Sequence, residues 1–71
     1  MHETRHDPRL VEIPAEHLAY LRDIVDRRGI PGACRILGVG RVALLGAIAR
    51  GHAMPGTAAL IREAIRRKDA A

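Results

Sequence analysis

Eight arginines and one lysine stand between residues 27 and 68 of this 71-residue chain, and Glu63 is the only acid among them. Residues 1–26 are the reverse, with three arginines against six carboxylates. A guanidinium offers a rigid fork of donors that matches phosphate and carboxylate oxygens. A stretch of about 40 residues with so little counter-charge repels itself unless an anion joins it, and nucleic acid is the commonest such partner. The other reactive side chains are sparse. His2 and His6, with Glu3 and Asp7 beside them, stand four apart and would chelate a metal only on a helix. Their segment lacks an apolar face to hold one, so it reads as a polar tail and no metal or cofactor is expected. His17 and His52 read as surface residues. Tyr20 is the one aromatic; without a second it forms no stacking platform and reads as a packer at the core edge. Cys34 reads as a small core residue. No Ser-His-Asp set, carboxylate pair in a pocket-forming context or phosphate-cradling glycine loop occurs. So short a chain has little room for an enclosed active site, and enzyme activity is not expected.

The length sets one domain, near the lower limit for a single core. With no Trp or Phe, the core must come from Leu, Ile, Val and Ala, and helices packed closely through Ala and Leu are the natural solution. A lone cysteine excludes an internal disulfide and a Cys-rich zinc site. No apolar run approaches the roughly 20 residues of a membrane span, and Met1–Asp7 lack the apolar stretch of a signal peptide. The expectation is a soluble, cytoplasmic, nucleoid-associated protein without a membrane partner.

The spacing of apolar residues predicts an all-α bundle of four short helices over residues 14–28, 31–37, 40–50 and 57–68. Residues 1–13 form a flexible or extended N-terminal arm, and the domain proper runs over 14–71. Within the arm, Leu10–Ile13 is extended because Pro14 disfavours the α region before it. Leu18, Leu21, Ile24 and Val25 recur at helical spacing up to the glycine stop at Gly29. Pro31 opens the next helix, with Ala33, Ile36 and Leu37 facing inward, and Gly38 stops it. Val39, Leu44, Ala47 and Ile48 hold the third helix, which Gly51 ends. Thr57 is the expected N-cap of the last helix, with Leu60, Ile61, Ala64 and Ile65 inside. No strand is expected beyond residues 10–13.

The run Ala33-Cys34-Arg35-Ile36-Leu37-Gly38-Val39-Gly40-Arg41-Val42-Ala43-Leu44-Leu45 resembles the helix-turn-helix of phage-repressor-like and lactose-repressor-like DNA-binding domains. Arg50-Gly51 and Gly56-Thr57-Ala58-Ala59-Leu60-Ile61 are similar to that family's loop and following helix. The resemblance covers about residues 15–66. It implies that Gly40, Arg41 and Val42 start a base-reading helix, with Leu45 and Gly46 one turn on. Arg41 is the one member of the set able to contact a guanine bidentately, and Val42 and Leu45 suit a thymine methyl. Gly32, Arg35, Arg50, His52 and Thr57 are the expected phosphate contacts, through side chains or through amides at helix starts. The family usually carries Ser or Thr at the position of Gly40 and a polar reader at that of Gly46, so the reading face is poor in hydrogen-bonding groups.

These readings converge on a sequence-specific double-stranded DNA-binding transcriptional regulator, a repressor in its simplest form because occupancy alone excludes polymerase. A homodimer on an inverted-repeat operator is expected, since one such module reads few base pairs. The last helix or the Leu10–Ile13 arm would supply the dimer contact. The alternative is a protein–protein adaptor that reuses the scaffold, with Val42 and Leu45 as its apolar anchor.

Overall fold

A computed structural model describes residues 9–70 of the chain. The elements run β1 (Val11–Glu12), α1 (Ala15–Leu37), α2 (Arg41–Arg50), β2 (His52–Ala53) and α3 (Pro55–Ala70). The domain is mostly helical, with three helices where four are expected. Residues 15–28 and 31–37 are the two segments of α1, which is kinked at Gly29, the one residue inside it with a non-helical backbone. That residue sits at φ 75°, ψ 171°, a region open only to glycine. Pro31 follows in the first turn beyond the break, where its missing N–H costs little.

The ends of α1 have clear physical causes. The Pro14 carbonyl accepts from the amides of His17 and Leu18, both at 3.0 Å, and so opens the helix. At the other end Gly38 adopts the left-handed conformation, φ 74°, ψ 27°. Its amide and that of Val39 both donate to the Cys34 carbonyl, at 2.8 and 3.2 Å. This closes α1 and turns the chain sharply. After Val39 and Gly40, α2 departs at 112° to α1. Gly51 ends α2 in the same way, at φ 74°, with its amide 2.8 Å from the Ala47 carbonyl.

The strand pair is the second departure from expectation. Residues 10–13 are extended, but their partner, His52–Ala53, carries no strand signal of its own. Val11 pairs with Ala53 and Glu12 with His52, antiparallel, and the Ile13 amide continues the ladder to the Gly51 carbonyl at 2.8 Å. The pairing pins the segment before α1 to the segment after α2 and puts Ile13 in the core. The last helix begins at Pro55 rather than Thr57. The Ala58 amide donates to the Met54 carbonyl at 2.9 Å, so Met54 is the N-cap and Thr57 lies within the first turn. Residues 1–8, which hold the rest of the expected arm with His2 and His6, lie outside the described residues.

Leu21, Leu37, Leu44 and Ile61 are the largest fully buried side chains. One comes from each segment of α1, one from α2 and one from α3, so a single apolar knot holds all the helices. Ala33, Ala47, Ala53 and Ala64 fill the gaps between them. Leu18, Val25, Cys34, Val39, Ile48, Ile65 and Tyr20 pack around the knot, partly buried. Two residues expected inside are exposed, Ile36 at 37% and Leu60 at 43%. Each adjoins a buried neighbour, Leu37 and Ile61, which occupies the narrow inward stripe instead. No single helix among the described residues is long and apolar enough to cross a membrane.

Leu37→Ala should therefore cost about 3 kcal/mol and Ile36→Ala under about 1 kcal/mol, compared by urea denaturation. In so small a domain the first loss approaches the whole folding free energy.

Candidate nucleic-acid interface

Helix α2 is short, and the alternation of its side chains divides it into two faces. Leu44 and Ala47 are buried against the core, while Ala43 and Ile48 flank them, half-buried. Arg41, Val42, Leu45, Ala49 and Arg50 point outward. Val42 is 85% exposed and Leu45 40%. The helix opens at Gly40, whose backbone is extended (φ −79°, ψ 165°) and whose carbonyl accepts the first helical bond, from Leu44 at 3.0 Å. No side chain caps it. A Cβ on Gly40 would meet nothing within 4 Å, so the approach to the start of α2 is open.

The expected contact residues fall into two groups. Val42, Gly46, Arg50, His52 and Thr57 line one shallow concavity of about 150 Å³, together with Met54. It lies between the outward side of α2, β2 and the first turn of α3. Gly32 and Arg35 line a different hollow, on the second segment of α1, with Arg28, Pro31 and Ile36. Gly40, Arg41 and Leu45 line neither, but Arg41 and Leu45 share the exposed side of α2 with Val42. Leu10, Ala43 and Met54 also line the concavity and were not among the expected contacts; Met54 is the most informative of them. It is 38% exposed, and its place between a strand and the Pro55 helix start becomes visible only once β2 is known.

Charge in this region is uncompensated. The sequence has no acid between Asp26 and Glu63. Among the described residues, Arg27 pairs with Asp23, Arg66 with Glu63 and Lys68 with Asp69. Lys68 also lies 5.7 Å from the centre of the Tyr20 ring, and Arg67 reaches the Ile36 carbonyl at 3.4 Å. Arg35, Arg41 and Arg50 are in no such contact. The basic residues near the end of α3 are thus engaged within the fold, and those of α2 and the end of α1 are not. The hydrogen bond from Arg66, backed by its charge, holds the Glu63 carboxyl below the usual carboxylate range.

His52 is oriented by its own neighbourhood. Its Nδ1 lies 3.0 Å from the Arg50 carbonyl. A carbonyl only accepts, so Nδ1 carries the proton, and in the neutral ring Nε2 is left as an acceptor. In α3, helix geometry leaves the amides of Gly56 and Thr57 without an intrahelical acceptor, whereas that of Ala58 is satisfied by Met54. The expected amide cradle at the start of the 31–37 segment lies just past the Gly29 break within α1. There Gly32 has a packing role: a Cβ on it would stand 2.8 Å from the Arg28 Cβ.

Comparison with protein-family models, curated proteins and solved structures finds no match to this chain.

The glycines yield substitutions of opposite sign. At Gly46 a Cβ would meet its nearest neighbour at 3.6 Å, an ordinary contact. Gly46→Ala should thus stabilise by about 1 kcal/mol, the helix-interior difference, and raise Tm by roughly 4–8 °C. Gly32→Ala should lower Tm despite the same propensity gain, because the Arg28 Cβ stands in the way. Gly40→Ser should add a few tenths of a kcal/mol as a better N-cap. Thermal melts followed by circular dichroism check all three.

Proposed function

We propose that this chain is a helix-turn-helix double-stranded DNA-binding domain that lays α2 in the major groove and regulates transcription by occupying its site. The observation that carries the reading is the outward face of α2: it is uncovered, it begins at an open Gly40, and its cations lack partners within the fold. A ten-residue helix is about 15 Å long, and the major groove, about 12 Å wide, admits one. The angle of 112° between α1 and α2 and the glycine-containing connection agree with helix-turn-helix geometry.

In this reading Arg41 presents its fork to a guanine, and Val42 and Leu45 pack on thymine methyls. Phosphates are held by Arg35 beside Gly32 and by the Gly56 and Thr57 amides at the positive end of α3; His52, whose ring N–H is taken by the Arg50 carbonyl, acts only by steadying the end of α2. A homodimer on an inverted repeat supplies the length of sequence that one module lacks, with half-sites about one helical turn apart. Leu60, apolar and exposed on α3, supports that helix as the contact between copies. A repressor acting from the nucleoid is the simplest physiological form, because occupancy needs no further domain.

A second reading rests on Val42, whose exposure is high for a branched apolar side chain. In it the same face docks a protein, with Val42 and Leu45 as anchor.

Selection from a random duplex pool, then titration of the enriched duplex, separates the two. DNA binding predicts an enriched sequence and affinity that falls at least tenfold between about 50 and about 200 mM salt. Arg41→Ala should lose discrimination at one base pair by roughly tenfold or more. The adaptor predicts no duplex binding even at low salt, and loss of its protein partner in Leu45→Asp.

A further inference from the structure

Arg50 closes α2, and its side chain runs back along the helix instead of outward from its end. A Cβ built on Gly46 would lie 3.6 Å from Arg50 Nη1, 3.8 Å from Cζ and 3.9 Å from Nη2. The guanidinium therefore lies over Gly46, one turn back, as the tilt of helical side chains toward the N-terminus favours. It has no carboxylate partner among the described residues, and Gly46, Arg50 and Val42 line the same concavity. The base of the side chain is steadied too, because the Arg50 carbonyl is held by the His52 ring. The outward face of α2, poor in donors when read residue by residue, thus carries a fork of N–H groups midway along its length, on the side that borders the concavity.

We infer that Arg50 is a second base-reading residue, which uses the vacancy at Gly46 to place its guanidinium against the guanine edge, and is not a flanking phosphate contact. The inference rests on the reading of α2 as a major-groove helix. It also accounts for a glycine in the middle of a ten-residue helix, which weakens that helix. Any long side chain at 46 would take the place that the guanidinium occupies.

Lysine separates the two roles. It keeps the charge, which suffices for a phosphate, and loses the planar fork that fits guanine O6 and N7 in a fixed orientation. The experiment is selection from a random duplex pool with the wild-type chain, Arg50→Lys and Arg50→Ala, followed by titration over a range of salt. Circular dichroism confirms that each variant is folded. The expected result is a wild-type consensus with a guanine that Arg50→Lys selects far more weakly and Arg50→Ala does not select. In Arg50→Lys, discrimination at that position should fall roughly tenfold to hundredfold, while non-specific affinity and the salt slope stay as in the wild type. The guanine lost in Arg41→Ala should be a different one. If Arg50→Lys selects the wild-type consensus and Arg50→Ala only weakens all sequences alike, with a salt slope smaller by about 1, Arg50 is a phosphate contact and the inference falls. A wild-type chain that enriches no sequence overturns this inference and the DNA reading together.

Discussion

The carbonyl of Cys34 accepts two hydrogen bonds, from the amides of Gly38 and Val39, and the geometry of the domain depends on that shared acceptor. It ends α1 within one residue and reverses the local handedness at Gly38. It thereby sends α2 across the core instead of onward along the α1 axis. Everything presented by α2 inherits its direction from this turn. The turn holds only with glycine at 38, where any side chain would be strained at φ 74°. The apolar knot then fixes the depth of α2, through Leu37 before the turn and Leu44 after it. Backbone bonding and packing act on either side of a three-residue connection and agree.

The two-residue strands serve a related purpose. A two-stranded ladder this short has little stability of its own, so packing must hold it. Ile13 and Ala53 are buried, and the ladder joins the chain on both sides of α1 and α2 into one perimeter. Its effect on the site is indirect: β2 delivers His52 and Met54 to one wall of the concavity and sets where α3 can start. The first turn of α3 is thus positioned by the N-terminal segment, far away in sequence.

The parts of the fold legible in the sequence are those governed by local rules. The glycine stops at 38 and 51 and the core positions Leu21, Leu37, Leu44 and Ile61 follow from helical period and backbone sterics. The break at Gly29 was legible as a boundary but not in its width. The two expected segments follow one another across a kink at that single glycine. The strand at His52–Ala53 had no local signal, because its identity comes from a partner 40 residues away. Thr57 looked like a cap by type, but Met54 holds that position, through a backbone bond that any residue can make. Ile36 and Leu60 fit the inner stripe by period yet fall outside it, since a core this small can bury only a narrow stripe of each helix. At the candidate site, the exposure of Arg41, Val42 and Leu45 could be read from period alone. The meeting of Arg50 with Gly46 could not, because it depends on a side-chain rotamer.

One consequence lies in the alanine at 47, on the hidden side of α2. Helices that meet through a methyl group lie closer together than helices separated by larger side chains. Ala47 is buried in the core cluster, and its small side chain lets α2 lie close to the body of the domain. Its size governs the height of the whole outward face, including residues it never touches. Variation at this one inward position would raise or lower that face without altering any group on it, and so offers a route from the interior to altered recognition.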